Sequence, residues 1–220
     1  NYSYVPVNLT VQALSGMGRP IQGISVRVLS GGSEVAALTT GPDGAGTVSL
    51  PPGQYVVEFP SESAPSQGVT ARFESTPNGT STSVQVNLTS PATVIAYYQV
   101  YYQVTVLTSY GVANGSGLFP EGSVDIVSVR PTTILRFPVE YVFAGWTGTS
   151  QSASSSFPLV VDSPQLLIAR WRASWVPLYL TVAVVAAGLL AAAAVLLGPL
   201  IILLLTFRLT IQVAVPYSAV

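Results

Sequence analysis

Short runs that alternate apolar and polar residues fill most of the chain before residue 97. Runs such as VPVNLTV and VQVNLT place valine and leucine at every second position, which is the period of a half-buried β-strand. Turns rich in glycine and proline, such as GPDGAG and PPG, separate these runs. Short strands at this spacing are typical of a β-sandwich. The pattern predicts strands at residues 5–14, 24–29, 34–39, 46–50, 54–59, 69–74 and 81–88.

A long apolar run follows in the C-terminal part of the chain. No charged residue occurs from position 173 to position 207. Residues 175–197 would form a helix about 34 Å long, which is enough to cross a bilayer. Trp175 and Tyr179 suit a membrane interface, and the Gly198-Pro199 pair predicts a break or kink in the helix.

Small residues inside this run predict contact with other helices. Ala183, Ala187 and Ala191 are spaced by four residues, and Gly188 begins a second such row. Rows of small side chains allow two helix backbones to approach closely. We therefore predict that these residues contribute to assembly with copies of this chain or with other envelope proteins. Residues 175–197 could instead contact a membrane.

The last part of the chain returns to alternation. Residues 207–215 predict a β-strand paired with a sheet, which we expect in a neighbouring subunit, because pairing would satisfy the strand backbone and bury its apolar face. The alternatives are a cytosolic tail or an extension of the membrane helix through Leu205. The apolar positions of the predicted strand are Phe207, Leu209, Ile211, Val213 and Val215.

The arginines around the apolar run oppose the usual orientation of a single membrane span. Arg170 and Arg172 precede the run and only Arg208 follows it. Cations are normally enriched on the cytoplasmic side. If the tail strand pairs on the side of the β domains, the helix would have left the bilayer and become a packed core, which removes the conflict.

Every asparagine of the chain begins an N-glycosylation sequon. The five are Asn1, Asn8, Asn78, Asn87 and Asn114. In the predicted strands Asn8 and Asn87 lie on the face opposite the apolar residues. The pattern predicts an exported glycoprotein whose N-linked glycans supply the polar surface. The alternative is five polar residues of turns and strands without sugars.

The composition excludes most catalytic chemistry. The 220 residues include no cysteine, histidine or lysine, and charged residues make up 8% of the chain. Without these side chains there is no usual zinc, haem or iron–sulfur site, no Ser-His pair and no Schiff base. We expect no cofactor and no metal. The net charge of −1 without a basic patch argues against nucleic acid as a partner.

Part of the first domain resembles known modules of secreted proteins. The segment GRPIQGISVRVLSGGSEVAALTTGPDGAGTVSLPPGQYVVEF combines Gly-x-Pro, TTGPDG and LPPGQYVV. This order is similar to carboxypeptidase-regulatory-like and collagen-adhesin B-type modules. The resemblance implies a prealbumin-like sandwich. Some of those modules form Lys–Asn isopeptide bonds, which a chain without lysine cannot form.

The following segment resembles a second family. Tyr102 and Val104 on an opening strand, FPEGS at a turn, FAGWTG, and Asp162 leading to Trp171 occur in order. This order is similar to a divergent internalin B-repeat module of bacterial and archaeal surface proteins. The resemblance implies a small β-module that serves as a spacer or adhesion repeat. We expect Trp146 and Trp171 in its core.

These observations predict a mainly-β protein in four parts. Two tandem β-sandwich domains occupy residues 1–97 and 98–173, an apolar α-helix occupies residues 174–206, and a strand-like tail occupies residues 207–220. A chain that starts at Asn1 without a hydrophobic leader fits removal of a signal peptide. The family resemblance and the lack of cysteine indicate a thermophilic, archaeal source.

The favoured function is that of a non-enzymatic structural glycoprotein at the cell surface. It would be a subunit of a filament, pilus or surface layer, held by its helix and tail strand. The first alternative is a single-pass, membrane-anchored accessory subunit or viral envelope protein that displays β-modules for protein contacts. The second alternative, a carboxylate glycosidase, has no recognisable pair of acids in the sequence.

Overall fold

A computed structural model describes residues 5–213, and the side chains of residues 5–208. The described residues are mainly β-strand, with one helix at the C-terminal end. The first nine strands are β1 (Val7–Ser15), β2 (Ser25–Ser30), β3 (Ser33–Thr39), β4 (Ala45–Leu50), β5 (Gly53–Glu58), β6 (Glu62–Ser66), β7 (Val69–Ser75), β8 (Ser83–Leu88) and β9 (Ala92–Thr108). The rest are β10 (Val112–Asn114), β11 (Gly117–Pro120), β12 (Ser123–Arg130), β13 (Thr133–Arg136), β14 (Val139–Gly148), β15 (Ser156–Val161), β16 (Gln165–Ser174) and helix α1 (Val176–Val213).

The predicted fold class, mainly β with a C-terminal apolar helix, is confirmed. All seven strands predicted before residue 97 are present, with ends that differ by a few residues. Strand β6 is an addition. Its sequence, ESAPS, has little β propensity, and it forms as the antiparallel partner of β7, with an irregularity between Ser63 and Ser66.

Residues 5–131 and 144–170 form one compact unit, the β-rich unit. Its largest sheet has the order β14–β16–β9–β1–β4, and β7 and β11 also pair with β9. Strands β1 and β16 both run parallel to β9, whereas β7 and β11 run antiparallel to it. Two smaller sheets have the orders β3–β2–β5–β8 and β10–β12–β15.

The 17-residue strand β9 passes through residue 97, where we place the boundary between the two domains. It pairs with β1 at Ala92–Tyr98 and with β16 at Val104–Thr108, so one strand serves both predicted domains. The two-domain division itself stays a prediction. A long central strand explains why the turn signals that mark the other strand ends are missing from the sequence AYYQVYYQV.

The core around β1 shows how the two-residue period acts. Leu9, Val11 and Ala13 are fully buried, while the residues between them stay partly exposed. Tyr98 of β9 is also buried, and its hydroxyl donates a hydrogen bond to the Pro60 carbonyl oxygen at 3.2 Å. The Phe73 ring meets the Tyr98 ring edge to face, with centroids 5.7 Å apart. Alternation therefore produces a continuous apolar interior.

The tryptophan of FAGWTG belongs to the interior of the same compact unit. Trp146 is buried, and its indole nitrogen donates to the Ser154 carbonyl oxygen at 3.0 Å. Its ring lies 6.3 Å from the ring of Phe157. The expectation that Trp146 is a core residue is confirmed.

Residues 132–143 and 171–213 form the second unit. Strand β13 pairs with β14 from Thr133 opposite Val142 to Arg136 opposite Val139. The rings of Phe143 and Trp171 meet edge to face at 5.9 Å, and Trp171 is half-buried rather than fully enclosed. Helix α1 begins two residues after β16 ends.

The predicted tail strand is wrong for residues 207–213, which belong to helix α1. Extending an existing helix adds one hydrogen bond for each residue that becomes ordered, whereas a new strand needs a partner. Leucine, arginine and glutamine in this segment also have good helix propensity. Val215 lies outside the described residues.

The Gly198-Pro199 pair does not end the helix either, because α1 continues through both residues. Proline at position 199 lacks an N–H, so the helix loses the bond that would reach the carbonyl of Val195. The apolar helix is therefore longer at its C-terminal end than the predicted 174–206.

Candidate glycan-bearing surface and membrane-spanning helix

The sequon asparagines occupy outward positions of the β-rich unit. Asn8 on β1 and Asn87 on β8 are exposed, and each is followed by a buried leucine. Asn78 lies in the turn between β7 and β8, and Asn114 is the last residue of β10; both are exposed. Asn1 lies outside the described residues.

Strand periodicity explains this placement. Because side chains alternate between the two faces of a strand, Leu9 and Leu88 point to the core and the preceding asparagines point to solvent. The Ser49 hydroxyl donates to the Asn8 side-chain oxygen at 2.7 Å, and the Asn78 backbone N–H donates to the Thr76 hydroxyl at 3.3 Å. A saccharide on any of these amide nitrogens would lie outside the core and leave it undisturbed. Whether these asparagines carry sugars stays a prediction.

Helix α1 carries the most apolar surface of the described chain. Its stretch Val176–Arg208 has 33 residues and a mean hydropathy of 2.7 over its most apolar window, and none of its side chains is buried. By length and composition this helix can cross a membrane. It is apolar on all sides, whereas a helix at the surface of a soluble domain has one apolar stripe.

The two threonines of this stretch are satisfied within the helix. The Thr181 hydroxyl donates to the Pro177 carbonyl oxygen at 2.8 Å. The Thr206 hydroxyl lies 3.0 Å from the Ile202 carbonyl oxygen and 2.9 Å from that of Leu203. A hydroxyl that bonds to its own backbone needs no water. Both threonines are therefore compatible with an apolar environment.

The predicted assembly residues all lie on α1 as far as the structure describes them. The side chains of Ala183, Ala187 and Ala191 and the backbone of Gly188 are exposed. Phe207 is exposed as well, and Leu209, Ile211 and Val213 are helical. Their role in assembly stays a prediction. Residues 207–213 could take part in it only as part of a helix, not as a strand.

An ion pair between an exposed arginine and a buried glutamate lies between the turn FPEGS and the N-terminal strands. The Arg19 guanidinium is 3.3 Å from Glu121 Oε1, and the side chain of Glu121 is only 3% exposed, against 54% for Arg19. Burial, and then the Glu121 charge, raise the pKa of Tyr102, which lines the same open cleft of about 410 Å³. The Glu121 backbone N–H also donates to the Val100 carbonyl oxygen at 2.8 Å.

This pair fixes the FPEGS turn against the residues that precede β2, which is a structural role. The sequence carries no local signal for this contact, because Arg19 and Glu121 are far apart in the chain. Within residues 5–213 no group of three or more acidic, histidine or cysteine side chains lies close enough to hold a metal ion.

No protein-family model matches the sequence, and no curated protein is significantly similar to it. The two family resemblances proposed from the sequence are therefore not confirmed. Similar solved structures include a DUF3823 family protein from Parabacteroides merdae, at 10% identity and a TM-score of 0.33, covering 78% of this chain and 81% of that one.

Two further similar structures are a Bacillus anthracis protein and a streptococcal pilin. The Bacillus anthracis TIE protein is 12% identical with a TM-score of 0.34, and the match covers 74% of this chain and 33% of that one. A streptococcal ancillary pilin is 12% identical with a TM-score of 0.30, covering 75% of this chain and 62% of that one. Because these scores are low, function is inferred from the chain's own residues.

Proposed function

We propose that the chain is a non-enzymatic glycoprotein of the cell surface that is anchored in a membrane by helix α1. The observation that carries this proposal is the stretch Val176–Arg208, which is apolar on all sides and has no buried side chain. The outward sequons of the β-rich unit support the export of that part of the chain.

The helix needs a cover because its exposed apolar area is too large for a soluble monomer. Contiguous apolar patches on soluble monomers rarely exceed a few hundred Å². On α1 the exposed apolar surface surrounds the helix and continues along 33 residues. A bilayer solvates this surface, and a helix satisfies its own backbone there. Trp175 and Tyr179, both exposed near the start of α1, suit the polar boundary of that bilayer.

The orientation follows from the sequons rather than from the arginines. Arg170 and Arg172 before the helix and Arg208 near its end give no positive-inside signal for an external β-rich part. N-linked sugars are added only to exported segments, so occupied sequons would place this part outside the cell. Saccharides would also supply the polar surface that a chain with 8% charged residues lacks.

The test is membrane extraction of the full chain from a host that performs N-glycosylation. We expect wild type to stay in membranes through an alkaline carbonate wash and to dissolve in detergent. The double variant Val184→Arg with Leu190→Arg should no longer insert and should appear in the soluble or aggregated fraction. Each arginine at a helix centre costs about 2.5–3.5 kcal/mol of insertion free energy.

The matched control puts two arginines at exposed strand positions, Val35→Arg with Val112→Arg, and should behave as wild type. Intact mass above 22.9 kDa, lost on deglycosylation, tests the sugars. Release of the wild-type chain by carbonate would contradict membrane anchoring.

A second candidate function is a subunit of a filament or similar assembly in which α1 helices pack together. The length of the helix favours it. The 33-residue apolar stretch is about 50 Å long, whereas the hydrocarbon core of a bilayer is about 30 Å thick. Even a tilt of about 40° leaves part of the helix outside that core. Copies of this chain would cover the excess, with the rows of small residues at the contact.

Cysteine cross-linking tests this second candidate, since the native chain has no cysteine. Ala187→Cys should form disulfide-linked dimers in native membranes or particles. Leu189→Cys, about 200° around the helix, is the control and should stay monomeric. Equal cross-linking at both positions, or none at either, would contradict packing through the small-residue face.

A further inference from the structure

The three-stranded sheet β10–β12–β15 has one buried face and one exposed apolar face. Val127 and Val129 of β12 and Val161 of β15 are buried on the inner side. On the outer side Val124 is 63% exposed, Ile126 64% and Val160 57%. Val124 lies directly opposite Val160, so these side chains are neighbours. Large aliphatic groups of β-strands are seldom left to solvent together in this way.

The strand register places one sequon on the same outer face. Asn114 of β10 pairs with Ser128 of β12, and directly opposed residues of antiparallel strands point to the same side. Ser128, Ile126 and Val124 follow at every second position and share that side. With strands about 4.8 Å apart and a rise of about 3.4 Å per residue, Ile126 lies about 8 Å diagonally from Asn114.

The backbone holds Asn114 at this edge. Gly115 follows with a φ of +108°, which favours glycine. A Cβ at position 115 would lie 3.0 Å from Asp125 Oδ2 and 3.1 Å from the Val127 Cα. The chain therefore turns tightly over β12 immediately after the asparagine, and the sequon asparagine itself stays exposed at the end of the strand.

We propose that the N-linked saccharide on Asn114 lies along this sheet and covers the outer faces of Ile126 and Val124. The inference rests on the proposed glycosylation and adds a docking surface for one particular glycan. A saccharide ring has an apolar C–H face and a polar edge, so it can bury aliphatic side chains while its hydroxyls remain in water. Two linked rings span the distance from Asn114 past the small residue Ser128 to Ile126.

The sequon at Asn87 has a more polar surface beside it. Asn87 on β8 is also exposed on a strand, but its cross-strand partner is Gln54, its neighbour two positions away is Gln85, and the diagonal position holds Val56, which is half-buried. A sugar on Asn87 therefore meets two glutamines and one partly covered valine, whereas the sheet beside Asn114 presents highly exposed aliphatic side chains. Asn87 is the matched control, because the residue type, the sequon and the strand context are the same while the adjacent surface differs.

The experiment uses the full chain from a glycosylating host, in detergent. Peptide mass spectrometry first measures occupancy at Asn114 and Asn87. Asn114→Gln should then lower Tm by about 3 °C, and Asn87→Gln by less than about 1 °C. In a background of Val124→Thr with Ile126→Thr, which keeps β-branched side chains, the loss caused by Asn114→Gln should disappear.

The outcomes separate this inference from the glycosylation that it assumes. If no sequon is occupied, both fail. If Asn87 is occupied and Asn114 is not, or if both Asn→Gln variants shift Tm equally, only the docking inference is overturned. It is also overturned if the glycosylated wild type forms a dimer that Ile126→Asp dissociates, since a second copy would then cover this face.

Discussion

Strand β1 and helix α1 are both rich in apolar residues, but β1 buries them and α1 leaves them exposed. Leu9 on β1 is 0% exposed, whereas Leu190 on α1 is 72% exposed. On β1, polar residues separate the apolar ones and face outward, so folding can enclose one side. On α1 no polar side exists, so no rotation of the helix could bury the apolar residues against one partner and expose polar ones. The arrangement of apolar residues, more than their number, indicates which solvent a segment needs.

Polar groups in the two regions differ in the same way. In the β-rich unit, sequon asparagines and threonines such as Thr47 reach solvent. In α1, the hydroxyls of Thr181 and Thr206 return to carbonyl groups of the preceding turn. The first region directs its polar groups outward, and the second satisfies them within its own helix. Identical substitutions in the two regions should therefore have different effects.

The largest contrast is expected from one substitution made twice. Leu9→Ala removes a fully buried side chain and should lower the free energy of unfolding of the β-rich part by about 2–5 kcal/mol. Leu190→Ala should leave this free energy unchanged, because its side chain contributes nothing to that core. Chemical denaturation of the detergent-solubilised chain, followed by tryptophan fluorescence, measures both. Equal losses would show that α1 folds as part of the same cooperative unit.

The second prediction concerns charge burial. Arg19→Met removes the cation that faces the buried Glu121 carboxylate, and should cost about 1–3 kcal/mol of unfolding free energy. Arg27→Met breaks the ion pair with Glu58, in which the arginine side chain is 61% exposed and the glutamate side chain 31% exposed. This substitution should cost less than about 1 kcal/mol of unfolding free energy. Denaturation midpoints give both values. If Arg27→Met costs as much as Arg19→Met, the Arg19–Glu121 pair has no special role in holding the FPEGS turn.

Much of this contrast could be predicted from the sequence, because both patterns, the alternation of the strands and the apolar run of the helix, are local. The two-residue period gave the strands before residue 97 and the outward asparagines, and the uninterrupted apolar run gave the helix. The pairing of β1 and β16 in parallel to β9 could not be predicted, since partners far apart in sequence leave no local signal. For the same reason the contact of Arg19 with Glu121 was missed.

The tail was misread for a different physical reason. FRLTIQV alternates as a strand would, but seven residues also fit two turns of helix, and the segment directly follows a helix that is already formed. Alternation identifies a strand only where a partner strand is available. A short period-two pattern that extends a long apolar helix is therefore weak support for a strand.

The third prediction concerns the effect of pH on a buried phenol of the β-rich part, measured on the full chain in detergent. Burial raises the pKa of the Tyr98 phenol. Below pH about 10 both states are protonated and the stability is fully present; above it the unfolded phenol ionises first, and stability falls by up to about 1.4 kcal/mol per pH unit. Tm measured from about pH 8 to 11.5 should show this decline.

Tyr98→Phe should flatten the decline, leaving the smaller contribution of Tyr102, whose pKa is also raised by burial. Tyr179→Phe is the control, because it removes one phenol from α1 and leaves the core of the β-rich part intact. An unchanged slope in Tyr98→Phe would show that this phenol ionises as easily in the folded protein as in the unfolded chain.

The fourth prediction has the smallest expected effect and tests whether residues 207–213 are helix or strand. Alanine is the best helix former and a poor strand former, so Thr→Ala has opposite signs in the two structures. Thr210→Ala should slow amide hydrogen exchange at residues 207–213 up to about threefold, because it stabilises the helix by up to about 0.7 kcal/mol. Thr47→Ala on β4, which also loses the 2.9 Å contact with the Thr10 hydroxyl, should speed exchange in β1 and β4. Faster exchange around position 210 in Thr210→Ala would instead indicate a strand there and restore sheet pairing as the way in which this segment is held.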